Sequence, residues 1–126
     1  MIVALAGREL VAVRQLRPGA PEPTLELPSG KLEPGETADA AAARELAEEC
    51  GLAAAARREL ARFWAVPAYS TELVHVVEAT GLSSADGFAP DADEDLEVER
   101  VSFERAFEAL SDAVSIAALA LWQRRR

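Results

Sequence analysis

Short runs of apolar residues with a β-like pattern open the chain. Residues 2–6 and 9–16 are such runs, and Ala6-Gly7-Arg8 between them predicts a hairpin. Pro18-Gly19-Ala20-Pro21-Glu22-Pro23 follows, a loop that cannot pair as a central strand, and residues 24–28 then predict a brief third strand. From Thr37, a residue suited to capping, the period changes. An alanine-rich run continues through Arg44-Glu45-Leu46-Ala47-Glu48-Glu49-Cys50 to Gly51, which predicts a helix of about three and a half turns with a glycine stop. At about 100° per residue, Glu45, Glu48 and Glu49 share an arc of roughly 100°, while Ala43, Leu46, Ala47 and Cys50 lie opposite.

Beyond the helix, residues 53–57 are ambiguous, and residues 59–66 predict a strand closed by Pro67. Residues 72–79 predict another, with Leu73, His75 and Val77 alternating against Val74, Val76 and Glu78. The lone histidine is expected to be an ordinary strand side chain. Residues 80–95 lack periodicity and read as a long acidic loop. Residues 96–101 predict a last strand, and Ser102 stands where it can cap a helix through Leu110. Residues 113–123 predict a further helix with Val114, Ala117, Ala118 and Leu121 on one side. The simplest packing of these elements is α/β, a mixed sheet between helices in three α/β/α layers.

Composition narrows the classes. Half of the 126 residues are hydrophobic, enough for one core and hence a single domain over 1–126. A net charge of −9 argues against nucleic acid and anionic membranes as partners. The basic cluster Arg124-Arg125-Arg126 suits a helix end, where cations meet the dipole. Cys50 is the only cysteine and falls on the apolar side, so neither a disulfide within the chain nor thiol chemistry is expected. The apolar start is interrupted by Gly7-Arg8-Glu9 before it reaches the length of a signal core or a membrane span. A cytoplasmic location is the expectation.

The helix carries the candidate chemistry. Glu45 and Glu49, like charges four apart, cost a helix roughly 0.2–0.5 kcal/mol, and Arg44 with Glu48 is the one in-helix offset. Something outside the helix should compensate. Three carboxylates with Glu36 near the helix start suit a hard divalent cation with oxygen ligands, Mg²⁺ above all. The alternative these residues leave open is a solvated acidic face.

Gly30, five residues, Glu36, seven residues, then Arg44-Glu45-Leu46-Ala47-Glu48-Glu49-Cys50-Gly51-Leu52 match without departure the pattern G-x5-E-x7-R-E-U-x-E-E-x-G-U, where U is bulky and aliphatic. The chain thereby resembles the Nudix hydrolases, which cleave nucleoside diphosphates linked to another moiety. The resemblance implies a Nudix-type α/β/α sandwich and a metal, Mg²⁺ with Mn²⁺ as the alternative, held by Glu45, Glu48 and Glu49. It also implies that Arg44 orients these ligands and that Glu36 supports them.

Three further stretches resemble the ADP-ribose pyrophosphatase branch: Arg14-Gln15-Leu16-Arg17-Pro18 with Leu25-Glu26-Leu27-Pro28-Ser29, then Pro67-Ala68-Tyr69-Ser70-Thr71-Glu72, and Asp112-Ala113-Val114-Ser115-Ile116-Ala117. That likeness implies that the Ser29 carbonyl joins the metal shell and that Arg17, with Arg14 beside it, meets a substrate phosphate. Glu94 would approach the metal from the acidic loop, acting with Glu48, Glu49 and Arg44 in catalysis. The substrate implied is ADP-ribose, hydrolysed to AMP and ribose 5-phosphate. Other nucleotides are the rivals (a nucleotide sugar, a dinucleoside polyphosphate, a nucleoside triphosphate), as is a module that senses ADP-ribose without turnover. A homodimer fits the resemblance.

Two departures shape the expectations. Relatives carry an N-terminal segment that helps hold the adenine, whereas here the first core strand starts at Ile2; the base is then expected to stack on Trp64, Tyr69 or Phe63. Where relatives place an acidic base two residues before the loop ligand, this chain has Ala92, which leaves proton acceptance open between Asp91, Asp93 and Glu94 on the loop and metal activation of the water with no separate base.

Overall fold

A computed structural model describes residues 1–86 and 95–126. The elements in order are β1 (Ile2–Ala6), β2 (Glu9–Gln15), β3 (Thr24–Glu26), α1 (Ala38–Cys50), β4 (Leu52–Trp64), β5 (Leu73–Ser84), β6 (Glu97–Ser102), α2 (Ala106–Ala109) and α3 (Ala113–Gln123). The predicted hairpin is present: β1 and β2 are antiparallel, with Ala6 opposite Glu9, and Gly7 takes φ +65° in the turn. Parallel pairing of β1 with β5 makes the sheet mixed, and its order runs β3-β2-β1-β5-β4, with β6 also paired to β2.

Period-2 alternation divides the core between the two faces of this sheet. Val3, Leu10, Val74 and Val76 point to one side, where they meet Ala118, Leu119 and Trp122 of α3 and Ala106 of α2. Ile2, Ala4, Val11, Val77 and Ala79 point to the other and pack on Ala42 and Leu46 of α1. Because β1 is buried on both faces, its run is continuously apolar. The result is the three-layer α/β/α arrangement.

Several boundaries differ from the sequence expectations. β4 is a single strand from Leu52, including the stretch left ambiguous, because Leu52 to Ala56 pair with residues 80–84 of β5. β5 therefore runs on to Ser84, five residues into the stretch expected to be loop. Ser102 caps no helix. It ends β6, its carbonyl accepts from the Arg105 amide at 3.1 Å, and α2 is only four residues long. On α3 the buried face is Ser115, Ala118, Leu119 and Trp122 rather than the side centred on Val114 and Leu121. On α1 the fully buried positions are Ala41, Ala42, Leu46 and Ala47, with Ala43 and Cys50 only half-buried. Burial pushes the Cys50 thiol up to about 12, which keeps it protonated. The terminal arginines are exposed, and Arg126 lies over the rings of Trp122 and Phe103, with its guanidinium carbon 4.7 and 5.1 Å from their centroids. Among the described residues no helix is long and apolar enough to cross a membrane.

Candidate active site

The Thr37 hydroxyl caps α1 by accepting from the Ala40 amide at 3.1 Å, and Gly51 ends it in the left-handed region at φ +64°. Both ends of the helix are thus fixed locally. Upstream, the Pro28 carbonyl accepts from the Ile2 amide at 2.8 Å, tying the entry of the Gly30 loop to the central strand. The loop then lies against the carboxylate face of α1. The Ser29 amide donates to Glu49 Oε2 at 3.1 Å. Gly30 passes so close to Glu45 that a Cβ added there would stand 1.9 Å from its carboxylate carbon. Any side chain at this position would force Glu45 to move, whereas the backbone angle asks nothing special of Gly30.

Most of the compensation that the clustered carboxylates demand comes from within α1 itself, from Arg44, and from outside the helix the Ser29 amide adds its bond to Glu49. The Arg44 Nε and Nη2 grip both oxygens of Glu36, at 2.9 and 2.8 Å. Nη1 donates to Glu45 at 2.7 Å and to Glu48 at 3.3 Å, and Nη2 also reaches the Lys31 carbonyl at 3.0 Å. One guanidinium therefore links the loop to three glutamates, with Glu33 a further 3.9 Å away. The twofold grip of Arg44 holds the Glu36 carboxyl down at about 2, and Glu36 with Glu45 in turn raises the guanidinium. Glu45 moves the other way: burial raises its carboxyl despite Arg44. Its side chain is only 14% exposed, so it does not lie on a solvated face.

One positive charge among these carboxylates leaves the wall negative. All the candidate donors are oxygens, the chemistry of a hard divalent cation, and Gly30 leaves a backbone approach that any side chain would close. The residues fit such an ion. Among the described residues no three acidic, histidine or cysteine side chains stand at metal-holding spacing; Arg44 engages Glu45 and Glu48, and the Ser29 amide engages Glu49.

A cavity of about 840 Å³ opens beside this wall, lined by Ser29, Gly30, Glu45 and Glu49 on one side. Gln15 of β2, Arg17 just beyond it and Glu26 of β3 line it too, as do Glu72 just before β5 and Leu73 and His75 within it. His75, read from sequence as an ordinary strand residue, faces the cavity and lies 3.3 Å from Glu59 through Nδ1. Arg17 is at the cavity with its Nε bonded to Glu26 at 2.9 Å. Arg14 is not. It lines a separate hollow with Glu99 and Arg105, where its Nε and Nη2 grip the Glu99 carboxylate, because its place in β2 points it to the opposite face from Gln15. Trp64 and Tyr69 are 57% and 84% exposed, and neither lines the cavity. Phe63 packs instead against the core cluster on the α3 side. Asp91, Ala92, Asp93 and Glu94 lie outside the described residues.

The sequence reading missed Gln15 and Glu26 as cavity residues. Strand alternation carried the signal, since Glu26 stands opposite Val13, and Gln15 two residues further on shares that face. It also missed Lys31, Asp95 and Asp112, which line the cavity from loops and a helix cap.

Residues 1–122 match the family model described as the NUDIX domain. The chain is similar to the ADP-ribose pyrophosphatase of Bacillus subtilis (strain 168), 36% identical over 99 residues that cover 78% of this chain and 54% of the relative. It is similar as well to the methanol dehydrogenase activator of Bacillus methanolicus, 31% identical over 105 residues, 82% of this chain and 57% of that one. The chain thus spans little more than half the length of these relatives. Among solved structures, one titled as an ADP compounds hydrolase superposes with a TM-score of 0.89 at 27% identity, covering 99% of this chain and 70% of the other. Box spacing, three-layer fold and family match agree, and the chain belongs to the NUDIX domain family.

Proposed function

We propose that this protein is a divalent-metal-dependent pyrophosphohydrolase acting as a single domain over 1–126, with ADP-ribose as substrate and AMP and ribose 5-phosphate as products. The observation that carries this reading is the convergence of Gly30, Ser29 and Arg44 on the box glutamates, of which Glu45 and Glu49 line a cavity of nucleotide size while Glu48 stands beside it, held by Arg44. The similarity to an ADP-ribose pyrophosphatase and to an ADP compounds hydrolase supports the substrate class.

In this reading Glu45, Glu48 and Glu49 hold Mg²⁺, with the Ser29 carbonyl as a further oxygen donor and Mn²⁺ as a substitute ion. When bound, the metal neutralises charge on the pyrophosphate and acidifies the attacking water. Arg44 aims the carboxylates and limits their mutual repulsion, and the Ser29 amide fixes the rotamer of Glu49. Arg17 binds a nonbridging phosphate oxygen from across the cavity. Glu94 or Asp93 accepts a proton from water as the water oxygen bonds to one phosphorus, the bridging P–O bond breaks, and the other half of the substrate leaves as its phosphomonoester, so that AMP and ribose 5-phosphate result. Membrane and nucleic acid have no part, in keeping with the charge of −9, and the cytoplasm is the proposed location.

The test is product analysis with ADP-ribose and Mg²⁺, beside other ADP-linked compounds, nucleotide sugars and nucleoside triphosphates. AMP and ribose 5-phosphate in equal amounts are expected from ADP-ribose. Tight binding of ADP-ribose with no product would instead make the domain a sensor, and preference for another nucleotide would reassign the substrate. Asp93→Asn or Glu94→Gln, with Glu94 the favoured one, is expected to lower kcat at least about 10²-fold with KM little changed; both single variants and the double variant within about threefold of the parent would exclude the loop as proton acceptor.

A further inference from the structure

Glu26 is nearly buried, its side chain 12% exposed, although it sits on the short outer strand β3 and lines the cavity. A single carboxylate oxygen accepts two bonds. Oε2 takes one from Gln15 Nε2 at 2.6 Å and one from Arg17 Nε at 2.9 Å. Gln15 thereby fixes Glu26, and Glu26 fixes the inner edge of a guanidinium that is itself 46% exposed. The bond engages only Nε of Arg17, and among the described residues its two terminal nitrogens have no protein partner. Those nitrogens are the fork that matches a pair of phosphate oxygens. An arginine at the end of a strand, followed by an exposed loop, would otherwise sample many rotamers, and ordering it on binding would weaken the complex.

We infer that Glu26 is the positioning residue of the substrate-phosphate clamp: held by Gln15, it grips the Nε edge of Arg17 so that the terminal fork is presented to a diphosphate in the cavity. The inference rests on the phosphate role proposed for Arg17. Glu26 itself touches no phosphate, since one anion beside another would repel. A plain counter-ion on a surface arginine would have different consequences, because it would alter stability without altering affinity.

The test compares Arg17→Ala, Glu26→Gln and the double variant in two assays: Mg²⁺-supported turnover of ADP-ribose, and equilibrium binding of ADP-ribose in EDTA, which needs no turnover. Glu26→Gln should raise KM and the dissociation constant about fivefold, with kcat within about twofold and the melting temperature little changed. Arg17→Ala should raise both by about tenfold or more. The double variant should match Arg17→Ala alone, since Glu26 acts only through that arginine. Multiplying effects would overturn the positioning role, as would Glu26→Gln with unaltered affinity beside a weakened Arg17→Ala. If Arg17→Ala itself leaves affinity unchanged, the phosphate role falls and the clamp with it. Failure of the unsubstituted protein to bind ADP-ribose would overturn the substrate reading and the clamp together.

Discussion

Gly30 shows how a single missing side chain can hold a site together. A Cβ at that position would stand 1.9 Å from the carboxylate carbon and Oε1 of Glu45, so Gly30→Ala must push the glutamate aside or distort the loop. Displacement by about 1 Å can cost 10²-fold in rate, and we expect a loss of about that size with the fold retained by circular dichroism. Arg44 offers a second test. Arg44→Ala leaves Glu36, Glu45 and Glu48 without their shared donor, so the metal-free protein should melt at a lower temperature, and added Mg²⁺ should recover part of the loss by supplying positive charge. No Mg²⁺ effect on this variant would count against the ion at that wall.

Glu36 contributes to the acid limb of stability beside Glu99 and Glu104, whose carboxyls are lowered too: Arg44 holds the folded Glu36 carboxyl at about 2, below its ordinary value near 4.5. A lowered value stabilises the fold above the unfolded one and is lost as pH falls towards the folded one. Stability should therefore decline between about pH 4.5 and pH 2, and Glu36→Gln should flatten that decline in acid titrations followed by circular dichroism. At this scale the box residues were legible because their spacing is a fixed pattern. What the sequence could not show was that Gly30 is needed for a close approach to Glu45, or that Arg44 spends both its edges on Glu36 and Glu45.

Among the elements, the helix was the most legible because its signals are local. Thr37, Gly51 and the apolar stripe through Leu46 act within one or two turns. Thr37→Ala should cost about 1 kcal/mol, read as a shift of the urea midpoint at constant slope. The long hairpin of β4 and β5 was less legible because its evidence is nonlocal. Residues 80–84 carry Gly81 and serines, a loop-like composition, and become strand only because the alanines of β4 lie opposite and allow close pairing. Gly81 holds φ +67°, and a Cβ there would meet Ala55 Cβ at 2.7 Å. Gly81→Ala should therefore destabilise by roughly 2 kcal/mol, measured in the same urea titrations. Neutral behaviour would mean that this end of the hairpin yields easily. Arg14 shows the same limit: its proximity to Arg17 in sequence suggested a shared role, yet strand alternation sends it to the other face.

At the scale of the whole molecule, the sheet brings separated stretches to one cavity, among them the ends of β2 and β3, the Gly30 loop, the face of α1 and the start of β5. The parallel contact of β1 and β5 is what seats Leu73 and His75 beside the box wall. Three layers were predictable from the order of apolar runs, but not which polar residues would meet in the middle, since that depends on register. Trp64 and Tyr69, expected to hold the base, are instead exposed outside the cavity wall. The proposed function makes the box glutamates the agents of phosphoanhydride hydrolysis at this cavity. Its most direct test is the initial rate of AMP and ribose 5-phosphate formation from ADP-ribose at saturating Mg²⁺, comparing the parent with Glu48→Gln/Glu49→Gln. Equimolar products from the parent and a fall of at least about 10²-fold in the folded variant are expected. Equal rates in the two proteins would contradict that function.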